Sequence, residues 1–475
     1  MPIPDGERDR IELTMLRERM MFEDWKPDLL EELSQFFAAE VLKRMTHPDT
    51  TRCPQKFYNV QKNVLYSGAP KAEAKGAADI SAITPPELWP LRKRGHLMTL
   101  GLRESLMRLD WHTGNTTVSY RVVAPSMVLA FADPKKPTVP VVVIECVERT
   151  AKSGENLGKT IWTRETWDIR DPKVPVRKVE AQDKINGQSE WRDVTADYPV
   201  NPEDPGAYPY MRKNGTGIFP WVMYHAEVTD QLWSWGEQRE LVDGSLKVGA
   251  LWTLWFHGCR DCSHPQRAAI DLETPSAARV TEGARPVDWI PMDQSSILML
   301  YSKKDRNGRL ETMAPAMNPK EFADAIQSYA AGLAQEAGIN DADLQVGGST
   351  GMSGYAIVVS RDGLRRAWAA QVPAATMGDQ QLLATAAALA NAYGGTALPE
   401  DPAAYTINYV EVGRSPEEVK ADLEEMRELE DRGVAGPLDT MQKVYPTLSR
   451  DGAIGKLVDI ARQKVDIEAA MVAAG

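Results

Sequence analysis

The first pattern along the chain is helical. Ile11 and Met15 keep the spacing of one helix face, and Leu29, Leu33, Phe36, Phe37, Val41 and Leu42 form an apolar stripe, so residues 7–45 are predicted to form two helices. Pro27 suits the first turn of the second, where a missing N–H leaves no partner wanting. From His47 to about Pro90, Gly, Pro and Ser punctuate the chain, which predicts a loop-rich stretch.

The period then changes to two over about 96–230. Thr116 to Val123 alternates in places, Val139 to Val147 is a near-continuous β-branched run, and Thr160 to Ile169 alternates large apolar with polar residues as a half-buried strand does. Pro and Gly clusters at 172–175 and 201–217 divide the region into short strands. Residues 231–258 return to helical spacing through Leu232, Trp235, Leu241, Leu246, Leu251 and Leu254.

Residues 266–318 are mixed, with a strand at Ile297 to Tyr301 and a turn at Arg306-Asn307-Gly308. Asn318-Pro319-Lys320-Glu321 reads as a cap with proline in the first turn. The helix it opens places Phe322, Ile326, Tyr329 and Leu333 on one face and stops near Gly338. Gly347-Gly348-Ser349-Thr350-Gly351 is a flexible loop, and Leu364 to Tyr393 is an Ala-rich helix with breaks expected at Pro373 and Gly378. Tyr405 to Val412 reads as a strand, and Ser415-Pro416-Glu417-Glu418 opens a last helical region.

Length adds that 475 residues exceed what one core usually holds, so two or more units are expected. With 43% hydrophobic and 26% charged residues the composition is that of a folded chain. A formal net charge of −12 argues against a protein that grips DNA phosphates, but not against one that DNA passes through, because a like-charged wall repels the polymer. The cysteines at 53, 146, 259 and 262 do not make a disulfide scaffold, so a reducing compartment is expected. The N-terminus lacks a signal pattern, and no stretch nears the roughly 18 apolar residues of a membrane span. The expectation is a protein made in the cytosol, without a membrane partner.

Candidate chemistry is thin. Ser153-Gly154-Glu155-Asn156-Leu157-Gly158-Lys159-Thr160 resembles a phosphate-binding loop, yet its first position is not Gly and a β-patterned segment follows where a helix must open. A turn between two strands is the expectation. His257, Cys259, Cys262 and His264 place four possible zinc ligands so close together that wrapping one ion would strain the chain, and a helix end with buried thiols is the plainer reading. The remaining histidines, His47, His96, His112 and His225, show no regular spacing. The acids Glu417, Glu418, Asp422, Glu424, Glu425, Glu428, Glu430 and Asp431 read as a solvated helical face. Trp221, Tyr224, Trp233, Trp235, Trp252, Trp255 and Phe256 lack an interleaved basic patch and read as core or subunit interface. No catalytic residue, metal ligand or cofactor is assigned.

Three short segments carry a resemblance. Gly217-Ile218-Phe219-Pro220-Trp221-Val222 looks like the Gly-x-x-Pro-Val segment before the first stem helix of tailed-bacteriophage portal proteins. Ser353-Gly354-Tyr355-Ala356-Ile357 resembles that family's Ser-Gly-x-Ala-Leu, and Asp431 to Thr440 is similar to its late Gly-Val-Ile-Ser-x-x-Thr turn. Ile357 stands where Leu is common and Gly436-Pro437 where Ser is usual.

The resemblance implies an α+β portal-type fold. Its parts would be N-terminal helices with a β-rich wing (1–230), a first stem helix (231–265), a small mixed α/β clip (266–318) and a second stem helix (319–338). A tunnel loop with a long kinked helix (339–395), a returning wing strand (396–413) and a helical crown (414–475) would follow. It implies a non-enzymatic virion protein at one capsid vertex, made in the host cytoplasm and forming a homo-oligomeric ring, a dodecamer. The partners it implies are the major capsid protein, the large terminase subunit, the head–tail adaptor and double-stranded DNA passing without sequence specificity. Gln345, Gly347, Gly348, Ser349, Thr350, Gly351 and Met352 would face that DNA. The rival is a cytosolic enzyme of unrecognised class, using 257–264 as a metal site or the acidic C-terminal helices.

Overall fold

The computed structural model describes residues 5–22, 24–44, 64–76, 79–112, 116–152, 156–185, 188–200, 207–234, 239–263, 266–270, 272–273, 301–302, 309–313, 318–336, 354–410, 416–433, 436–444, 450 and 454–463. The chain is a mixed α/β protein that divides into two compact units. One comprises 1–23, 54–239 and 334–475, the other 24–53 and 240–333.

Among the described residues the larger unit holds three antiparallel sheets, two of them with three or more strands. Strands β2 (Glu104–Asp110), β3 (Ser119–Val123) and β9 (Trp221–His225) form the order β3-β2-β9. Strands β4 (Val128–Asp133), β5 (Lys136–Thr150), β6 (Thr160–Asp168), β7 (Val176–Ile185) and β8 (Gln188–Asp193) form a five-stranded meander in sequence order. The β-branched run and the alternating run of the sequence are β5 and β6, paired antiparallel from Val142–Asp168 to Thr150–Thr160. The phosphate-loop look-alike therefore spans a hairpin connection, as expected. Gly158 takes a left-handed φ of 78° there, and its N–H donates to the Ala151 carbonyl at 2.9 Å.

Three elements depart from the predicted pattern. Residues 64–90 are not all loop, since β1 (Lys71–Ala74) pairs antiparallel with β14 (Tyr405–Asn408), over 300 positions away. A helix, α4 (Leu88–Leu102), runs where loop and then strand were expected; α1 (Asp5–Phe22), α2 (Lys26–Leu33) and α3 (Ala39–Arg44) precede it in sequence. Gly101 serves packing in α4: a Cβ there would lie 2.7 Å from the Met21 methyl. The helix predicted from 231 begins only at Arg239, as α5 (Arg239–Ser263).

The long helix, α7 (Gly354–Tyr393), stays helical through Pro373 and Gly378, so the expected interruption does not occur. Gly378 instead lets the Tyr224 ring lie against the backbone, where a Cβ would meet its carbons at 2.4 Å. Leu382, Leu383 and Ala386 to Ala390 are buried in the main core beside Trp221, Val222 and Tyr224 of β9. Helices α8 (Pro416–Asp431) and α9 (Pro437–Val444) follow, with Gly433 between them at φ 69°, and residues 454–463 are again helical.

In the smaller unit, Leu29 and Leu33 of α2 are buried against Ala250 of α5, while Phe36 and Val41 of the predicted stripe are exposed. Helix α6 (Pro319–Glu336) starts where the Asn318 cap was read, and the Lys320 N–H donates to Asn318 Oδ1 at 3.2 Å. It runs antiparallel to α5: Leu333 packs onto Gly244, and Trp255 Nε1 donates to the Pro319 carbonyl at 2.7 Å. Ile326 and Leu333 are buried and Tyr329 is exposed. Short strands β10 (Gln266–Ile270) and β13 (Arg309–Met313) pair antiparallel, as do β11 (Leu272–Glu273) and β12 (Tyr301–Ser302). The predicted strand at 297–301 falls mostly outside the described residues, and the turn at 306–308 wholly so.

Candidate functional site

Residues Gln345 to Met352, the DNA-facing loop implied by the resemblance, lie outside the described residues, as does Ser353. In the 257–264 cluster, Cys259 is half-buried near the end of α5, and the His257 ring lies 5.3 Å from Phe37 and 6.1 Å from Phe256. The side chains of Cys262 and His264 fall outside the described residues. Among the described residues no group of three or more His, Cys, Asp or Glu is placed to hold a metal ion. Glu428 of α8 and Arg432 just beyond its end are largely exposed 3.6 Å apart, while the side chains of Glu417, Glu418, Asp422 and Glu425 lie outside the described residues. Trp221, Tyr224 and Trp233 are buried core residues, and Trp252 meets Trp255 edge-on at 5.4 Å.

One buried polar assembly is not announced by the sequence. Asp379, fully buried on α7, collects four donors from four separate segments. Arg92 Nε of α4 donates to Oδ1 at 2.7 Å, and the Tyr224 hydroxyl of β9 donates to the same oxygen at 2.9 Å. The Tyr66 and Tyr409 hydroxyls donate to Oδ2 at 2.9 Å and 2.7 Å. Arg92 Nη2 also reaches the Tyr66 hydroxyl at 3.1 Å, and its guanidinium lies 3.6 Å above the Tyr224 ring. Two turns earlier on α7, Gln371 Oε1 bonds His96 Nε2 at 3.0 Å, one turn along α4 from Arg92.

The electrostatics follow from burial and pairing. Burial alone would pull Arg92 down, but Asp379 and the neighbouring Tyr224 and Tyr66 together outweigh it and hold the guanidinium charged. Burial, followed by interactions with Asp379 and neighbouring groups, pushes Tyr66, Tyr224 and Tyr409 far above the usual phenol range, so all three stay protonated donors. Burial drives the His96 imidazole down to about 4 and keeps it neutral. Neither Arg92, nor His96, nor any of the three tyrosines is poised near neutral pH as an acid, base or nucleophile. It ties α4, β9, α7 and the segments around 66 and 409 to a single carboxylate.

A second polar cluster crosses the sheets. Burial pushes Glu165 of β6 up, but Arg108, Arg177 and Arg149 together outweigh that and bring it down to about 2. Arg108 and Arg177 approach it at 3.0 Å and 2.7 Å, and Arg149 closes the group. Arg108 also reaches Glu145 at 3.0 Å, and Glu145 pairs with Arg121 at 2.7 Å.

No known protein family and no curated protein matches the chain. Among solved structures it is similar to a chain in the virion of a native gene transfer agent particle, at TM-score 0.42 and 10% identity over 91% of this chain and 92% of that one. It is similar also to a chain in the neck of the native gene transfer agent particle computed with C12 symmetry, at TM-score 0.41 and 10% identity over 84% and 90%. At these scores the likeness assigns no role.

Two signals for the buried cluster were present in the sequence. Asp379 is a lone acid in a run otherwise made of Ala, Leu, Met, Thr, Gly and Gln, and a carboxylate on a buried face needs a cation. Arg92 and His96 share one helix face at i,i+4. Their partners lay up to 313 positions away, which no local pattern bridges.

Proposed function

We propose that the chain is a portal-type subunit, a structural protein that forms a ring at one capsid vertex of a tailed phage or a related particle. The observation that carries the reading is the order of elements. A β-rich region leads to the 25-residue helix α5, a small unit of paired strands, the antiparallel helix α6, the 40-residue helix α7, the returning strand β14 and terminal helices. On this reading α5 and α6 are stem helices, residues 266–318 the clip, and 414–475 the crown. Gln345 and Gly347 to Met352 line the channel, offering neutral, short or soft contacts that do not trap phosphates.

The ring's copy number is twelve on the resemblance alone. Its partners are the major capsid protein, the large terminase subunit and the head–tail adaptor. Head-to-tail contacts that close into a ring suit long helices packed side by side about an axis. The anchored helix α7 supports the reading physically. A wall enclosing a moving polymer must hold its shape, and Asp379 fixes α7 to strands and helices from distant parts of the chain.

The test is size-exclusion chromatography of the purified chain followed by negative-stain imaging. The expected result is rings with a central hole. A monomer or dimer without a hole under assembly-permissive conditions overturns the proposal, and stoichiometric zinc retained by such a species would favour an enzyme built on 257–264.

A further inference from the structure

Glu104 opens β2, is only 3% exposed, and accepts a hydrogen bond from the Ser234 backbone N–H. That bond reaches across 130 positions to the segment that leads into α5. The same segment is pinned elsewhere. The Ala226 N–H donates to the Arg103 carbonyl at 2.8 Å, Arg103 Nη2 meets Glu227 Oε1 at 2.9 Å, and the Arg10 guanidinium lies 3.7 Å over the Trp233 ring. Between the pins, Glu227, Val228, Asp230 and Gln231 are exposed and Thr229 is half-buried. Arg103 has a φ of 74°, the one non-glycine value in the left-handed region among the described residues, so the end of α4 carries backbone strain at this junction.

We propose that Glu104 is a proton-operated latch on residues 226–234: the neutral carboxyl holds the segment closed, and ionisation loosens it. The reason is solvation. A closed segment keeps the carboxyl away from water, and opening at Ser234 would hydrate it. The segment also walls a cleft of about 470 Å³ lined by Glu227, Val228, Thr229, Asp230 and Ser234, giving the opened carboxylate water on that side.

The charged surroundings are mixed. Arg17 of α1 and Arg103 favour the ionised form, Arg10 of α1, paired with Glu7 at 2.9 Å, is also drawn to the Glu104 charge, and His225 of β9 lies across the strand pair from Glu104. Glu227 is taken by Arg103, and Asp230 stands in the cleft wall. Burial outweighs the Ser234 N–H and both arginines, and the carboxyl titrates at about 7 instead of 4.5. A raised carboxyl stabilises the closed segment at low pH and loses that contribution as pH rises through this range.

Hydrogen exchange of the full chain tests the latch. After correction for intrinsic rates, protection of amides 226–234 should fall about tenfold from about pH 6 to about pH 8 in the wild type, and stay flat in Glu104→Gln, which keeps an acceptor but carries no charge. Glu104→Met should show lower protection with the same flat profile, and it serves if the Gln variant does not fold. An equal fall in wild type and variants, or no fall in the wild type, overturns the proposal. This reading does not depend on the chain forming a ring.

Discussion

Asp379 and Glu165 are both fully buried carboxylates, yet they are satisfied in different ways and do different work. Asp379 takes one guanidinium and three phenols, from segments that no strand ladder joins to α7. Glu165 takes three arginines, two of them on β5 and β7, which flank β6 in the sheet. Loss of the first removes the tie between distant elements. Loss of the second weakens a meander that backbone hydrogen bonds still hold.

The largest effect should come from removing each carboxylate. Asp379→Ala leaves Arg92 buried without a counter-charge and should cost about 3–5 kcal/mol in urea denaturation. Glu165→Ala should cost less, about 2–3 kcal/mol, because Arg108 keeps Glu145 and Asp110 and Arg177 keeps the Tyr198 carbonyl at 3.0 Å. Equal losses would show that the sheet gives Glu165 no independent support.

Acid should separate the two clusters next. His96 beside the Asp379 assembly is depressed to about 4 from 6.5, so its contribution is fully present above 6.5 and is lost as pH falls towards 4. That loss is on the order of 3 kcal/mol. Glu165, depressed to about 2 from 4.5, loses its contribution only at lower pH, as pH falls from 4.5 through about 2. Urea midpoints between about pH 7 and about pH 4 should therefore fall less in His96→Gln than in the wild type. An unchanged slope would mean that other groups govern acid stability.

The smallest effect tests the phenols. Tyr409→Phe removes one donor, while Arg92, Tyr66 and Tyr224 still satisfy Asp379, so about 1 kcal/mol is expected by thermal or urea unfolding. No measurable loss would reduce Tyr409 to packing, edge-on to Tyr66 at 5.9 Å.

Much of the architecture was legible because it is local. The β5–β6 hairpin followed from an alternating pattern with turn residues between, α6 from its Asn318 cap and apolar face, and the part of α7 from Leu364 onward from an alanine-rich run. The misses share one cause. Helix α4 was read as loop up to about Pro90 and as strand from about 96, because nothing local shows that Gly101 is where Met21 packs. Gly378 looked like a helix break, although it is where Tyr224 approaches. A glycine chosen for a neighbour far along the chain carries the same letter as one chosen for a turn.

The sequence alone determined the element types over most of the described chain, because period, caps and turn residues act within a few positions. It also held the segment order that the portal reading rests on. Only the tertiary structure decided that β1 pairs with β14, that Asp379 finds Arg92 and three tyrosines, and that Glu104 reaches Ser234. All of these contacts but the Tyr409 bond join residues more than 100 positions apart. A buried charge fixes that a partner must exist, but which one is set by how the whole chain closes around it.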